Sequence, residues 1–218
     1  MRREEHTTVR NDEQKSEQDG PFEFLGGNLA LDLANTEIPV RGGKQRDLLR
    51  TPQDVESWWS YAQVHHGEVA QAVSFSSGGD DALQAIKQLR TMLRRLFGII
   101  AEQHPLQEVD LADLNQLLKE GYPVVTLTAE GKPFPDYHVS EGGNPILFAI
   151  ALAAVQLITG HDLTRLRACQ NPTCTMFFYD TTKSATRHWC SVNCKERARS
   201  AVRYRRARTH TLPEPSRT

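Results

Sequence analysis

The clearest periodicity in the chain lies in "DDALQAIKQLRTMLRRLFGIIAEQ", where Leu83, Ile86, Leu89, Leu93, Leu96 and Ile100 recur at steps of three and four residues. That spacing puts all six on one side of an α-helix and predicts an element that buries a single stripe. A second helix is predicted over "TPQDVESWWSYAQVHHGEVAQAV", with an interruption near Gly67. Thr51 suits its N-cap, Pro52 its first position, and Asp54 the positive end of its dipole. "PILFAIALAAVQLI" is apolar nearly all round and predicts a buried central helix closed by Gly160. "DLADLNQLLKEG" predicts a short helix with Asp110 as its cap and Gly121 as its stop. In "LALDLAN" the pattern is ambiguous: Leu29, Leu31 and Leu33 alternate as in a strand, while Ala30 and Ala34 also fit a helix.

"YPVVTLTAEGKPFPDYHVS" gathers β-branched and aromatic residues around a Gly-containing turn and predicts a hairpin; "IPVRGGKQRD" reads as a loop. The expected architecture is α+β. A mainly α N-terminal domain with a small β-hairpin spans 21–160, and a C-terminal treble-clef-like module that holds all four cysteines spans 161–208. Residues 1–20 and 209–218 are expected to be disordered tails.

An apolar share of 39% and a charged share of 24% suit a chain that folds around a real core. The first twenty residues lack the apolar stretch of a secretory signal, which predicts a cytoplasmic protein. The longest apolar run is broken by Gln156 and is shorter than the roughly 20 residues needed to cross a bilayer, so no membrane association is expected.

Charge is unevenly distributed. From Arg165 to Arg208 eleven Lys or Arg face two acids, a net +9, whereas the remainder carries fifteen basic against twenty-five acidic residues, a net −10. A near-neutral total thus conceals an acidic body and a basic module suited to a polyanion.

All four cysteines fall inside that module as C-x4-C-x15-C-x3-C: Cys169, Cys174, Cys190 and Cys194. Thiolates supply the softness and negative charge that a tetrahedral zinc site requires, and two close pairs let two short turns clamp one ion. A disulfide pairing fits a reducing compartment poorly, and no C-x-x-C redox pair is present. One structural Zn2+ is therefore expected. Asn171 and Pro172 supply turn chemistry for a knuckle, "TMFFYD" a strand, "RHW" a return to the third ligand, and Ser191 the cap of a final helix with Cys194 in its first turn. Phe177, Phe178 and Trp189 are the expected small core, with metal binding supplying much of the folding free energy.

On that helix, 3.6 residues per turn put Cys194, Ala198, Ala201 and Val202 on a face predicted to pack on the zinc site. Lys195, Arg199, Arg203 and Arg206 form a second stripe, and Arg197, Tyr204 and Arg208 lie on another side. With Arg187 these are the candidate nucleic-acid contacts. Arginine predominates, and its planar fork binds phosphate bidentately or reaches the major-groove edge of guanine. No large apolar face suits a membrane surface.

At this point the sequence resembles a bacterial family, the CGNR zinc finger proteins, whose N-terminal part is the ABATE domain. The residues that carry the resemblance are "RLRACQNPTCTMFFYD" and "RHWCSVNC" with the basic helix, and more loosely "LALDLANT", "TPQDVESWW", "LRTMLRRLF" and "DLADLNQLL". Asp180, Arg187 and Trp189 with the cysteines are the most specific part. The resemblance implies a transcription regulator whose zinc module binds DNA. Two positions depart from the pattern: the tetrapeptide that names the family reads Cys194, Lys195, Glu196, Arg197 here, and the interval from Cys190 to Cys194 is one residue shorter. No role of the family's Gly and Asn is carried over.

The leading expectation is a zinc-dependent DNA-binding regulator whose helical domain senses a small-molecule effector or forms a homodimer. RNA binding, or an adaptor that docks on an acidic protein partner, are the alternatives. No enzyme is expected. His188 adjoins the cysteine site, but four cysteines leave no open position for a catalytic water, and "EGGNP" and "RGGKQ" lack the spacing of a phosphate loop. His65 and His66 read as surface or partly packed residues.

Overall fold

The computed structural model describes residues 22–40, 44–67, 79–127 and 129–210, with the backbone alone at 134 and 206–210. Its elements are α1 (Leu29–Ala34), β1 (Glu37–Pro39), β2 (Gln45–Asp47), α2 (Pro52–His65), α3 (Gly79–Ala101), α4 (Glu108–Leu118), β3 (Gly121–Leu127), β4 (Pro133–Val139), α5 (Pro145–Gly160), a 3-10 turn (Leu163–Arg165), β5 (Leu166–Ala168), β6 (Phe177–Tyr179) and α6 (Val192–His210). The strands form three antiparallel pairs, β1–β2, β3–β4 and β5–β6. The architecture is the expected α+β, with helices forming the body.

The α3 stripe goes inward: Leu83, Ile86, Leu89, Leu93, Leu96 and Ile100 are all buried. They pack with α1, α2 and α5 around one core. The ambiguous "LALDLA" is a helix. Asn28 Oδ1 accepts the Ala30 N–H at 2.9 Å as its N-cap, and all six residues are buried, which a half-buried strand would not give. Thr51 caps α2 as predicted, in a reciprocal box with Asp54. At α4 the expectation is corrected: Gln107 is the N-cap, and Asp110 accepts its backbone N–H at 2.9 Å from the third helical position.

The segment read as a loop contains the short β1–β2 ladder, with residues 41–43 outside the described residues. Arg90, buried on α3, anchors it by donating to Asp47 at 2.6 and 2.8 Å and to Thr36 Oγ1 at 3.1 Å. Burial acts to raise the Asp47 pKa, but the Arg90 guanidinium, the Leu49 N–H and Lys87 hold it at about 2. Helix α2 ends at His65, and the stretch beyond Gly67, residues 68–78, lies outside the described residues. His66 Nε2 lies 2.8 Å from the buried Asp32 carboxylate and His65 stacks on Phe24, so His66 is partly packed while His65 stays at the surface, as expected.

Of the tails expected at 1–20 and 209–218, residues 1–20 and 211–218 lie outside the described residues, while Thr209 and His210 belong to α6. Among the described residues, no helix is long and apolar enough to cross a membrane.

Candidate functional site

Strand β5 pairs with β6 in the register Leu166↔Tyr179, Arg167↔Phe178, Ala168↔Phe177. The return through "RHW" does not supply the partner of "FFY": the ladder uses the strand before the knuckle. Side chains alternate along β6, so adjacent phenylalanines face opposite ways. Phe177 joins the core of the helical body, meeting Phe97 edge-on at 6.2 Å, whereas Phe178 belongs to a separate cluster with the cysteines and Met176. Phe177 is thus removed from the expected small core, where Phe178 and Trp189 remain.

The β5–β6 connection is the knuckle. The Cys169 N–H donates to the Met176 carbonyl at 2.9 Å and the Cys174 N–H to the Asn171 carbonyl at 2.8 Å. The Gln170 N–H donates to the His188 carbonyl at 2.9 Å, bringing the second cysteine pair alongside. Ser191 caps α6 as expected, its Oγ accepting the Cys194 N–H at 3.2 Å.

The four sulfurs lie within 4.8 Å of one another, with Cys169–Cys194 at 3.4 Å and Cys174–Cys190 at 3.8 Å. Hydrogen bonds with the Cys174 and Cys190 thiols draw the Cys169 thiol far below its usual range. The contact with Cys169 pushes Cys174 up to about 12 and raises Cys190 as well. Four crowded thiols therefore cannot ionise together without a cation among them, which is the donor set of a structural zinc. Two donors already point at sulfur: the Cys190 N–H to Cys169 at 3.4 Å, and the buried Asn171 Nδ2 to Cys194 at 3.2 Å. Sequence reasoning gave Asn171 only a turn role. Its oxygen does accept from Thr173, but its amide is a ligand-supporting group that only a long-range contact reveals.

Asp180 and Arg187 hold the loop that leads to Cys190. Asp180 is fully buried, with Oδ1 accepting from the Thr182 N–H and hydroxyl and Oδ2 from the Arg187 N–H at 2.8 Å. Against burial, which acts to raise it, these bonds keep the carboxyl below its usual range. The Arg187 side chain donates to the carbonyls of Trp189 and Cys190 and lies 4.5 Å over the Phe178 ring. The half-buried guanidinium is thus engaged as an internal brace beside the cysteine cluster.

The module is also fastened to the body by polar contacts. Buried Asn35 at the end of α1 forms a two-bond clasp with Phe177, its Nδ2 donating to the carbonyl at 2.8 Å and its Oδ1 accepting the N–H at 2.9 Å. Arg94 of α3 donates to the Ala34 carbonyl at 2.7 Å and the Thr175 carbonyl at 3.3 Å, with its charge 5.5 Å from the Phe177 ring centre.

Two family models match the chain: ABATE, described as "putative stress-induced transcription regulator", over residues 27–161, and the CGNR zinc finger over residues 165–207. The chain belongs to the ABATE family. No curated protein matches it. The zinc finger match and the four-cysteine cluster together give this ABATE protein one structural zinc site, and neither matched family is an enzyme family.

In this ABATE chain α6 leaves the zinc site as a projecting rod. Cys194 is buried and Ala198 half-buried, but every residue from Arg199 to Arg205 is exposed. The face expected to pack therefore ends early: Ala201 is exposed and Val202 is 41% exposed, since the body does not extend along the helix that far. Lys195 is half-buried, 5.9 Å from the Trp189 ring, whereas Arg197, Arg199, Arg203, Tyr204 and the unpredicted Arg205 are exposed. Arg199 bonds Glu196 and Arg203 bonds Ser200 along the helix surface. Arg206 and Arg208 lie on its last turns, where the backbone alone is described.

Proposed function

We propose that this chain is a zinc-dependent, DNA-binding transcription regulator, in which Cys169, Cys174, Cys190 and Cys194 hold one zinc that fixes the start of α6. The helix then offers Lys195, Arg197, Arg199, Arg203, Tyr204, Arg205, Arg206 and Arg208 to DNA, and the helical body serves sensing or dimerisation.

The observation that carries this reading is the exposure of the whole Arg199–Arg205 stretch on a helix this rich in arginine. Past Ala198 the helix gains no core stability from the described residues, and with Glu196 the one acid along it the cations repel one another, so a polyanion is the partner its chemistry fits. At 100° per residue Lys195, Arg199 and Arg203 fall within one 80° sector, and Arg197 and Arg205 within another on the opposite side. Cations on both flanks match a helix lying between two phosphate-lined walls, the arrangement of a duplex major groove.

The test is fluorescence anisotropy with duplex DNA over a salt series, with and without zinc. Each phosphate neutralised contributes about −0.9 to the slope of log affinity against log salt, so seven engaged cations predict a slope of about −6. Zinc-free protein, or Cys190→Ser, is expected to bind at least tenfold more weakly. Equal binding by the zinc-free protein overturns the proposal, and preferential competition by structured RNA at matched salt moves the substrate to RNA.

A further inference from the structure

The β3–β4 hairpin overhangs the body, and its two edges differ. The strands pair Gly121↔Val139, Pro123↔Tyr137, Val125↔Pro135 and Leu127↔Pro133, alternating with Tyr122↔His138, Val124↔Asp136 and Thr126↔Phe134. All three prolines fall in the first set. Proline has no N–H, so those pairs do not exchange ladder bonds, and the second set does. The Ser140 N–H donation to the Glu120 carbonyl at 2.8 Å continues that second set in register. The backbone groups of Gly121, Pro123, Val125 and Leu127 therefore point away from β4.

The outer edge of β4 is blunted, because Pro133 and Pro135 occupy two of its outward positions. The outer edge of β3 is open: among the described residues no backbone bond reaches the N–H or C=O of Val125 or Leu127. Those residues are 75% and 67% exposed, beside Tyr122 at 59%. Apolar side chains on an open edge at the tip of an overhanging hairpin form a template for another strand.

We infer that the occupant of this edge is β3 of a second copy, paired antiparallel about a two-fold axis at Val125. Three features favour the self-pair. Gly121–Leu127 carries no charged residue, so two copies meet without repulsion. With Val125 opposite Val125, Pro123 lies opposite Leu127 on each side, and the only donors forfeited are the two that proline lacks. The axis also sets Val124 against Thr126, so β-branched residues face one another across the joint. The result is a continuous four-stranded sheet. The interaction is confined to one strand pair, so an affinity on the order of micromolar is expected.

Sedimentation of the full zinc-loaded chain tests this over about 1 to about 100 µM, the range in which a small edge interface dissociates. The wild type is expected to shift from monomer to dimer across that range. Val125→Pro removes an outward N–H that β4 does not use, and Val125→Lys brings two cations together at the axis. Each is expected to weaken association at least tenfold while circular dichroism and zinc content stay unchanged. A wild type that stays monomeric throughout, or variants that dimerise as the wild type does, overturns the inference. Binding of DNA by either variant as monomer leaves the zinc-helix reading standing.

Discussion

The two halves of the zinc module are supported differently. Residues 166–179 are built into the ABATE body: Leu166 and Phe177 sit in its core, Asn35 clasps the Phe177 backbone, and Arg94 reaches Thr175. Residues 190–205 have a slighter foundation, in which the body sets Leu25 and Ile38 against the cysteine cluster. Their buried contacts are with the cysteine cluster, and past Ala198 every described side chain is exposed. A small module need not rely on its metal throughout. Here the body holds the strand pair whose connection carries two ligands, and zinc is left to fix the other two together with the helix that follows.

Neighbouring phenylalanines separate the halves most sharply. Phe177→Ala opens a cavity in the shared core and is expected to cost about 3–5 kcal/mol. Thermal melting of the whole chain should fall by about 8–15 °C for a protein of this size, with zinc content unchanged. Phe178→Ala should do the reverse, weakening zinc retention more than the melting of the body. Equal loss of zinc in both variants would merge the two halves into one.

Asn171→Ala acts on the metal side alone. Removing the amide that donates to the Cys194 sulfur is expected to weaken zinc binding about tenfold to a hundredfold, read by competition with a chelating dye. The melting of the helical body should not move.

Acid should take the halves apart in order. Protons compete with zinc for thiolates, so falling pH releases the metal and the 190–205 half first. The body holds longer. Asp47 has its folded pKa depressed to about 2 from an ordinary value of about 3.9, so its contribution is complete above about pH 4 and is lost as the pH falls through 2. That is about 2 kcal/mol, visible as an acid transition in far-ultraviolet circular dichroism. Asp47→Asn should abolish its pH dependence and lower stability at neutral pH.

Arg203→Ala should be the mildest change. Its side chain is exposed and donates to Ser200 on the surface of its own helix, so stability is expected to stay within about 0.5 kcal/mol. The salt dependence of DNA binding should lose about one unit of slope.

Local signals in the sequence carried much of this. The α3 stripe, the Thr51 and Ser191 caps, the β3–β4 hairpin and the cysteine spacing depend on residues close in the chain or on strict periodicity, and each appears where it was expected. What escaped was long-range. Asn35 lies 142 residues from Phe177, and nothing local to either one announces the clasp. The partner strand of "FFY" was not foreseen because Leu166–Ala168 is too short to show alternation. Arg187 resembled the other arginines in composition, and only the fold shows that backbone carbonyls and a ring occupy it. The helical face through Ala201 and Val202 had the right angles, yet nothing in a sequence says where a neighbouring surface ends.

Hydrogen exchange measured by mass spectrometry on the full chain, zinc-loaded and chelated, tests the division most directly. The account predicts that chelation strips protection from residues 190–198 while 166–168 and 177–179 remain as protected as before. Loss of protection across all of 166–198 together, or none anywhere, would contradict it.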